Sequence, residues 1–255
     1  MTQPLFTGVA VALITLFDDS GEVDAKATAD HAAALVELGV RAVVVTGSTG
    51  EAATLAADER IALLTAVRQA VTAGTPVLAG TGAPSRRQAS AFTRDAVDHG
   101  ADGLLVLSPP GAADLRGYYE TVAAAAGAVP VLGYHYPQVS SPGIPVEVLP
   151  ELPVRGLKDS SGDPGRLLAE RAGYDGWLYV GAATILALAG PLGCSGAILA
   201  LANAEPERCA AAFAGDAEAQ LALAEGHMAA QRSFPHGLKA LVADRFGTSR
   251  AARLG

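Results

Sequence analysis

Lys158 is the residue whose type and position most directly suggest chemistry. The chain of 255 residues has three lysines against 15 arginines, and Lys158 alone follows an apolar run, 154–157, at the end of a predicted strand. Burial lowers the pKa of a lysine there, and the neutral amine can attack a ketone carbon to form a Schiff base. An ion pair with Asp159 or Asp163 explains the same spacing equally well. The residues alone therefore leave both interpretations open.

Tyr134 ends a second apolar run, 129–134, so its hydroxyl could reach the same cavity as Lys158. A phenol in a cavity can relay protons to and from a reacting group. A core tyrosine with one satisfied hydrogen bond is equally compatible with this position. Strand alternation directs the next side chain, His135, to the opposite face, where we interpret it as a packing residue.

The segment Gly47-Ser48-Thr49-Gly50 follows a third apolar run, 40–46, and consists of small residues. Its backbone N–H groups and two hydroxyls can hold a carboxylate or a phosphate. An ordinary turn between a strand and a helix is the other interpretation. The segment is not a P-loop, because no Gly-Lys-Ser/Thr follows it.

The remaining reactive side chains give no comparable pattern. No His, Cys, Asp or Glu cluster has metal-ligand spacing, so we predict no metal. Cys194 and Cys209 lack a catalytic context. Two cysteines in a chain of this length indicate the reducing interior of a cell rather than a disulfide framework. Lys26 and Lys239 are compatible with ordinary surface or packing roles.

Elements of a barrel must position these residues. Eight continuous apolar runs, typical of parallel strands buried on both faces, alternate with alanine-rich segments of helical period. The runs are 9–16, 40–46, 76–79, 103–107, 129–134, 154–157, 178–180 and 196–199. The predicted helices are 25–38, 58–71, 85–99, 114–126 and 164–172. This alternation predicts an α/β fold, a (β/α)8 TIM barrel; a doubly wound open sheet is the alternative, usually with five or six strands and a glycine-rich first turn.

The predicted barrel domain covers residues 1–205, and residues 206–255 are expected to form two or three helices packed on it as a short C-terminal extension. Active sites of such barrels lie at the C-terminal ends of the strands. The ends of three predicted strands carry Lys158, Tyr134 and the segment 47–50. The fold therefore predicts that these groups meet at the barrel mouth.

Composition excludes several classes of protein. A formal net charge of −8 argues against nucleic-acid binding, which needs a surplus of basic residues. Two stretches with little charge, 121–146 and 176–204, are interrupted by proline or glycine, so we interpret them as buried segments rather than membrane spans. The first residues lack the basic region of a signal peptide. We therefore predict a cytoplasmic protein with no membrane contact.

Six motifs follow one another on the predicted strands between Val9 and Asn203. They are Ala12 to Asp24, Gly47 to Leu55, Ala79 to Gly82, Gly100 to Gly103, the Tyr134-x-x-Pro137 element, and Gly156 to Asp163. Through these motifs the chain resembles the dihydrodipicolinate synthase/N-acetylneuraminate lyase family of class I aldolases and lyases. The resemblance implies the barrel fold, pyruvate or another 2-keto acid as substrate, and no metal, pyridoxal phosphate or nucleotide cofactor. It also implies a homo-oligomer, a tetramer or a dimer.

The resemblance assigns roles to particular residues. Lys158 corresponds to the lysine that forms the Schiff base, and Tyr134 to the tyrosine that shuttles protons. Ser48 and Thr49, in the loop that begins at Gly47, correspond to the hydroxyl pair that holds the keto acid's carboxylate, with Ser48 also in the proton relay. The positions that line the keto-acid pocket correspond to Gly181 and Ile198.

Two departures from the synthase pattern bear on the second substrate. Residues 109–111 read Pro-Pro-Gly where the synthase has Pro-Tyr-Tyr, and Val139 stands where it has an arginine for aspartate semialdehyde. These differences favour a 2-keto-3-deoxy or 4-hydroxy-2-oxo acid aldolase over 4-hydroxy-tetrahydrodipicolinate synthase. A barrel that binds a keto acid without catalysis is an alternative of another class. A pyridoxal phosphate enzyme using Lys158 is less favoured, because no partner for a pyridinium nitrogen is evident.

Overall fold

The computed structural model describes residues 3–254 and contains a closed barrel of eight parallel strands in sequence order. The strands are β1 (Gly8–Ala12), β2 (Val43–Val45), β3 (Val77–Gly80), β4 (Gly103–Leu107), β5 (Val131–His135), β6 (Gly156–Asp159), β7 (Trp177–Val180) and β8 (Gly196–Leu199). The last strand pairs with the first, with Ile198 opposite Ala10. The predicted (β/α)8 barrel is confirmed, and the open sheet is excluded.

Helices separate the strands and cover the barrel, except that only a 3-10 helix, Val146–Glu151, lies between β5 and β6. The α-helices are α1 (Ala25–Glu37), α2 (Ala57–Ala70), α3 (Arg86–Asp98), α4 (Leu115–Ala126), α5 (Pro164–Gly173), α6 (Leu186–Ala189), α7 (Pro206–Phe213), α8 (Ala217–Arg232) and α9 (His236–Phe246). Side chains at the caps define several starts, because Asp24, Ser85 and Asp163 each accept a backbone N–H of the first turn. The five predicted helices all form, and each of their ends lies within one residue of the prediction.

β1 is shorter than the predicted run 9–16, although the residues beyond its end stay buried. The backbone N–H of Ile14 donates to the Asn203 side chain at 3.1 Å, and that of Leu16 donates to the Thr28 hydroxyl at 2.9 Å. Side chains thus replace the neighbouring strand as acceptors, and the apolar run continues after strand geometry has ended.

Alternation along the strands sorts the side chains into two layers. One cluster fills the barrel interior and includes Val44, Leu78, Leu105, Leu132, Tyr134, Tyr179 and Ile198. The other lies between the strands and the helices and includes Leu157. Because Lys158 follows Leu157 on β6, its side chain points to the interior face.

The three helices after β8 pack on the barrel through shared apolar contacts. Ile14 and Leu16, which follow β1, form one cluster with Ala230 of α8 and with Leu238 and Val242 of α9. The predicted two or three C-terminal helices are three in the described chain. The division into domains at residue 205 remains our proposal.

None of the helices within residues 3–254 combines the length and the apolar character that crossing a bilayer requires.

Candidate active site

Lys158 is buried at the mouth-side end of β6, with 4% of its surface exposed. Strand register places Lys158 beside Tyr134 of β5 and Tyr179 of β7. Its Nζ atom lies 4.3 Å from the centre of the Tyr134 ring. Loss of hydration on burial lowers the pKa of Lys158 to about 7. A substantial fraction of this amine is therefore neutral near pH 7.

The ion-pair interpretation of Lys158 does not hold in the structure. Asp159 alternates to the outer face of β6, where Ser161 donates to its carboxylate and the Arg166 Nε lies 3.6 Å from its Oδ2. The Asp163 carboxylate caps α5 and accepts the backbone N–H of Gly165 at 2.7 Å. Both carboxylates have partners of their own, and the Lys158 side chain turns away from them.

The Tyr134 hydroxyl lies in a group of hydroxyls beside Lys158. It accepts from the Ser160 Oγ at 3.4 Å. Burial raises the pKa of Tyr134 well above its ordinary value, while hydrogen bonding to Ser160 and Ser48 opposes that rise. A neutral phenol that is bonded to one hydroxyl and close to a second can pass a proton in either direction.

The segment 47–50 forms a tight loop at the end of β2. Thr46 and Glu51 flank it, and both have left-handed backbone conformations, with φ of 53° and 56°, which residues other than glycine seldom adopt. Within residues 3–254, the backbone N–H groups of Ser48 and Thr49 donate to no protein acceptor. With the two hydroxyls they supply four donors for an anion.

Gly80 at the end of β3 keeps this loop close to the barrel. A Cβ atom at Gly80 would overlap the carbonyl oxygen of Thr46. The Thr46 hydroxyl donates to the Gly80 carbonyl at 3.1 Å. The absence of a side chain at Gly80 thus allows the close approach that holds the left-handed Thr46.

These groups face one cavity of about 350 Å³ between the barrel mouth and α8. Five predicted site residues line it: Ser48, Thr49, Tyr134, Lys158 and Gly181. Gly47 does not line it, because it forms the base of the turn and its carbonyl accepts from Gly50 and Ala52. Ile198 does not line it either, because it is fully buried in the interior cluster. Pocket roles for Gly47 and Ile198 stay predictions.

Several lining residues were not singled out from the sequence. They are Tyr136, Gln138, Ser160, Thr184, His227, Gln231 and Phe234. Ser160 carried a usable signal, because it lies two positions after Lys158 and strand alternation gives both the same face. The last three belong to α8 or the turn after it, and nothing local in the sequence relates them to β6.

Gly181, at the end of β7, leaves the space that the reactive groups occupy. A Cβ atom there would overlap the Ser160 Oγ and lie 2.7 Å from the Lys158 Cε. We expect Gly181→Ala to displace both side chains and to lower kcat/KM by about 100-fold, as misplaced reacting groups do. Gly173→Ala is the matched control, because a Cβ at Gly173 meets nothing within 4 Å. Equal activity of the two variants would contradict this geometry.

A closed (β/α)8 barrel with a buried amine of lowered pKa at its mouth is the architecture of a class I lyase. The chain belongs to the dihydrodipicolinate synthetase family, whose model matches residues 5–249. Family membership confirms the resemblance drawn from the motifs, and the protein is therefore a lyase of this family.

Two curated relatives are similar in sequence to most of the chain. A 4-hydroxy-tetrahydrodipicolinate synthase from Salinibacter ruber is 38% identical over 215 residues, which are 79% of this chain and 70% of that protein. The protein of the same name from Pseudomonas aeruginosa is 35% identical over 233 residues, 86% of this chain and 80% of that protein.

Solved structures share the fold. A dihydrodipicolinate synthase from Cyanidioschyzon merolae with lysine bound is 27% identical, with a TM-score of 0.85 over 92% of this chain and 87% of that chain. A prophage protein of the family from E. coli K12, in complex with pyruvate, is 25% identical with a TM-score of 0.88 over 98% of this chain and 92% of that chain. KD(P)GA from T. tenax, at 24% identity and a TM-score of 0.87 over 96% of this chain and 90% of that chain, supports the fold alone.

Proposed function

We propose that this lyase forms a Schiff base between Lys158 and pyruvate or a related 2-keto acid, and makes or breaks a carbon–carbon bond to an aldehyde. The observation that carries the proposal is the buried Lys158 amine, whose pKa is lowered to about 7. The neutral Nζ attacks C2 of the keto acid, and the resulting carbinolamine loses water to give the imine. The relative from E. coli K12, solved with pyruvate, supports a keto acid as the ligand.

The loop at Ser48 and Thr49 is the proposed carboxylate site. Its two backbone N–H groups, which have no acceptor within residues 3–254, and its hydroxyls can hold the keto acid's carboxylate beside Lys158. Fixing the carboxylate orients C2 toward the amine, which lowers the entropic contribution to the activation free energy of the attack. The same donors stay in place during the reaction, so little reorganisation is needed.

Tyr134 is the proposed proton carrier, with Ser48 and Ser160 as its hydroxyl partners. Dehydration of the carbinolamine needs a proton on the departing hydroxyl, which Tyr134 donates. In the cleavage direction, the iminium takes the electron pair of the C3–C4 bond to become an enamine. The C4 hydroxyl gives its proton to Tyr134, and the aldehyde leaves; addition reverses each transfer.

The rest of the cavity favours an uncharged, hydroxylated aldehyde. Within the described chain its lining has no arginine and no lysine besides Lys158, and burial lowers the pKa of its histidine, His227. The lining also has the amides of Gln138 and Gln231 and the hydroxyl of Thr184. Val139 is 53% exposed and lies outside the lining. A second carboxylate would therefore lack a fixed cationic partner there. We infer that a 2-keto-3-deoxy or 4-hydroxy-2-oxo acid fits better than the semialdehyde of the synthase reaction.

A substrate panel tests the proposed function. Aldol cleavage and addition are measured with pyruvate plus neutral hydroxyaldehydes, and with pyruvate plus aspartate semialdehyde. We expect the largest kcat/KM with a neutral hydroxyaldehyde. If aspartate semialdehyde is the best acceptor, the protein is a 4-hydroxy-tetrahydrodipicolinate synthase, the name of the two curated relatives described above. A pyruvate adduct without turnover of any partner would indicate a keto-acid-binding barrel instead.

Adduct formation is expected to depend on the protonation of Lys158. Because the pKa of Lys158 is lowered to about 7, the amine is protonated and unreactive below that pH and neutral above it. The initial rate of pyruvate adduct formation, measured with cyanoborohydride, is expected to rise about tenfold per pH unit below pH 7 and to level off above it. A lysine of ordinary pKa would give a rate that still rises at pH 9, which would contradict the lowered value.

Two further proposals accompany this function. Family membership supports a homo-oligomer, a tetramer or a dimer, as the association state of this lyase. The cytoplasmic location expected from the sequence stays a prediction.

A further inference from the structure

A buried ion pair lies directly behind the proposed carboxylate loop. The Glu51 carboxylate, one residue after the loop, lies 2.5 Å from the Nζ of Lys239 on α9, and neither side chain is exposed. Removing two charges from water is costly unless further hydrogen bonds satisfy them. Lys239 Nζ also donates to the Ala251 carbonyl at 2.6 Å and lies 4.4 Å from the centre of the Phe17 ring.

The chain after α9 supplies the remaining partners of Glu51. The backbone N–H groups of Arg253 and Leu254 each donate to the Glu51 Oε2 at 2.8 Å. We call residues 249–254 the C-terminal strap. One carboxylate thus forms an ion pair with a lysine and accepts charge-assisted hydrogen bonds from two backbone amides of the strap.

The Arg253 side chain fastens the strap a second time. Its guanidinium makes two hydrogen bonds with Glu59 of α2, at 2.9 and 2.6 Å, and donates to the carbonyls of Gly21 and Thr54. A two-point contact of this kind fixes both position and orientation. The strap is therefore held to Thr54 and Glu59 as well as to Glu51.

The contact reaches the cavity through the backbone of Glu51. Glu51 N–H donates to the Ser48 carbonyl at 3.1 Å, and Glu51 itself has the left-handed φ of 56°. A residue with a side chain adopts that conformation only where its surroundings hold it. The surroundings here are Lys239 and the strap, so they fix the turn that brings Ser48 and Thr49 to the cavity lining.

We propose that Glu51, Lys239 and the C-terminal strap are positioning elements that set the geometry of the keto-acid carboxylate loop. They do not touch the substrate. The inference rests on the proposed function, which assigns the carboxylate to this loop. It predicts that loosening the strap weakens keto-acid binding more than it slows the chemical step.

The test compares a variant that lacks residues 249–255 with Arg250→Ala. Arg250 lies in the strap but makes an exposed ion pair with Asp244, so its loss leaves the contacts of Glu51 intact. Borohydride trapping at Lys158 is measured against pyruvate concentration. We expect the deletion to raise the half-saturating pyruvate concentration at least tenfold and to change the limiting rate less than threefold, while Arg250→Ala matches the unchanged protein.

A second variant and a second measurement keep the outcome decisive. If the deletion variant fails to fold, Arg253→Gln is the test, because it retains the backbone contacts to Glu51 and removes the two hydrogen bonds to Glu59. We expect this variant to raise the half-saturating pyruvate concentration at least threefold. Hydrogen exchange of the backbone amides of residues 47–55 is expected to be at least tenfold faster in the deletion variant, or in Arg253→Gln if the deletion variant does not fold, than in Arg250→Ala. Unchanged half-saturation and unchanged exchange would overturn the inference.

The two proposals fail in different ways. If the unchanged protein forms no pyruvate adduct at Lys158, the proposed function is wrong, and hydrogen exchange still decides whether the strap orders the loop. If the unchanged protein forms the adduct and the strap variants bind pyruvate equally well, the proposed function stands and the positioning role is wrong.

Discussion

Lys158→Ala is expected to lower kcat/KM for the keto acid at least about 10⁴-fold, which corresponds to about 5.5 kcal/mol of transition-state stabilisation. The physical reason is the loss of the nucleophile, because no other lysine lines the cavity within the described chain. Lys26→Ala is the matched control, since that lysine is exposed and pairs with Asp30 on α1. The measurement is steady-state turnover with the best substrate of the panel.

Lys158→Arg separates covalent from electrostatic catalysis. Arginine keeps a cation at the end of β6 but stays protonated at all working pH values, so it cannot attack a carbonyl. We expect it to be as inactive as the alanine variant. Turnover close to that of the unchanged protein in either variant would show that Lys158 is not the nucleophile. Circular dichroism of both variants checks that the barrel is folded.

Tyr134→Phe is expected to lower kcat/KM by about 10²–10³-fold, the range in which positioned general acids and bases contribute. The change removes a hydroxyl bonded to Ser160 and preserves the ring that packs 4.3 Å from Lys158 Nζ. The lysine environment is thus retained while the proton carrier is lost. The measurement is the rate of adduct formation together with steady-state turnover.

Tyr174→Phe is the control for Tyr134→Phe. Tyr174 is buried beside α5, away from the cavity lining, and its hydroxyl has no hydrogen-bond partner in the described chain. We expect its loss to leave both rates unchanged. If Tyr134→Phe also lies within threefold of the unchanged protein, proton transfer does not pass through Tyr134.

Much of the fold was predictable because short apolar runs and helix-capping residues indicate strands and helix starts locally in the sequence. The apolar runs at β4 and β8 match their strands residue for residue, and the Ser85 cap marks the start of α3. The run at β1 misled, because burial continues after the strand where Asn203 and Thr28 take over its hydrogen bonds. Hydrophobicity reports burial, and hydrogen bonding defines the strand.

The candidate site also has features that the sequence predicts and features that it does not. The shared position of Lys158 and Tyr134 at one cavity was predictable, since each lies at the end of a recognisable strand and parallel strands end at one side of a barrel. Their catalytic roles stay predictions. The buried ion pair of Lys239 was not predictable, because its partner Glu51 lies far earlier in the chain. Surface and packing roles were the local interpretation of Lys239, and only tertiary structure shows what it neutralises. The contribution of α8 to the cavity escaped for the same reason.

Borohydride reduction in the presence of pyruvate, followed by peptide mapping by mass spectrometry, shows directly whether Lys158 forms the Schiff base. We expect one covalent pyruvate adduct per chain, located on Lys158, and no adduct on Lys26 or Lys239. Lys158→Ala should give none under the same conditions. If the folded, unchanged protein forms no adduct at Lys158, or carries the adduct on another lysine, Lys158 is not the Schiff-base residue.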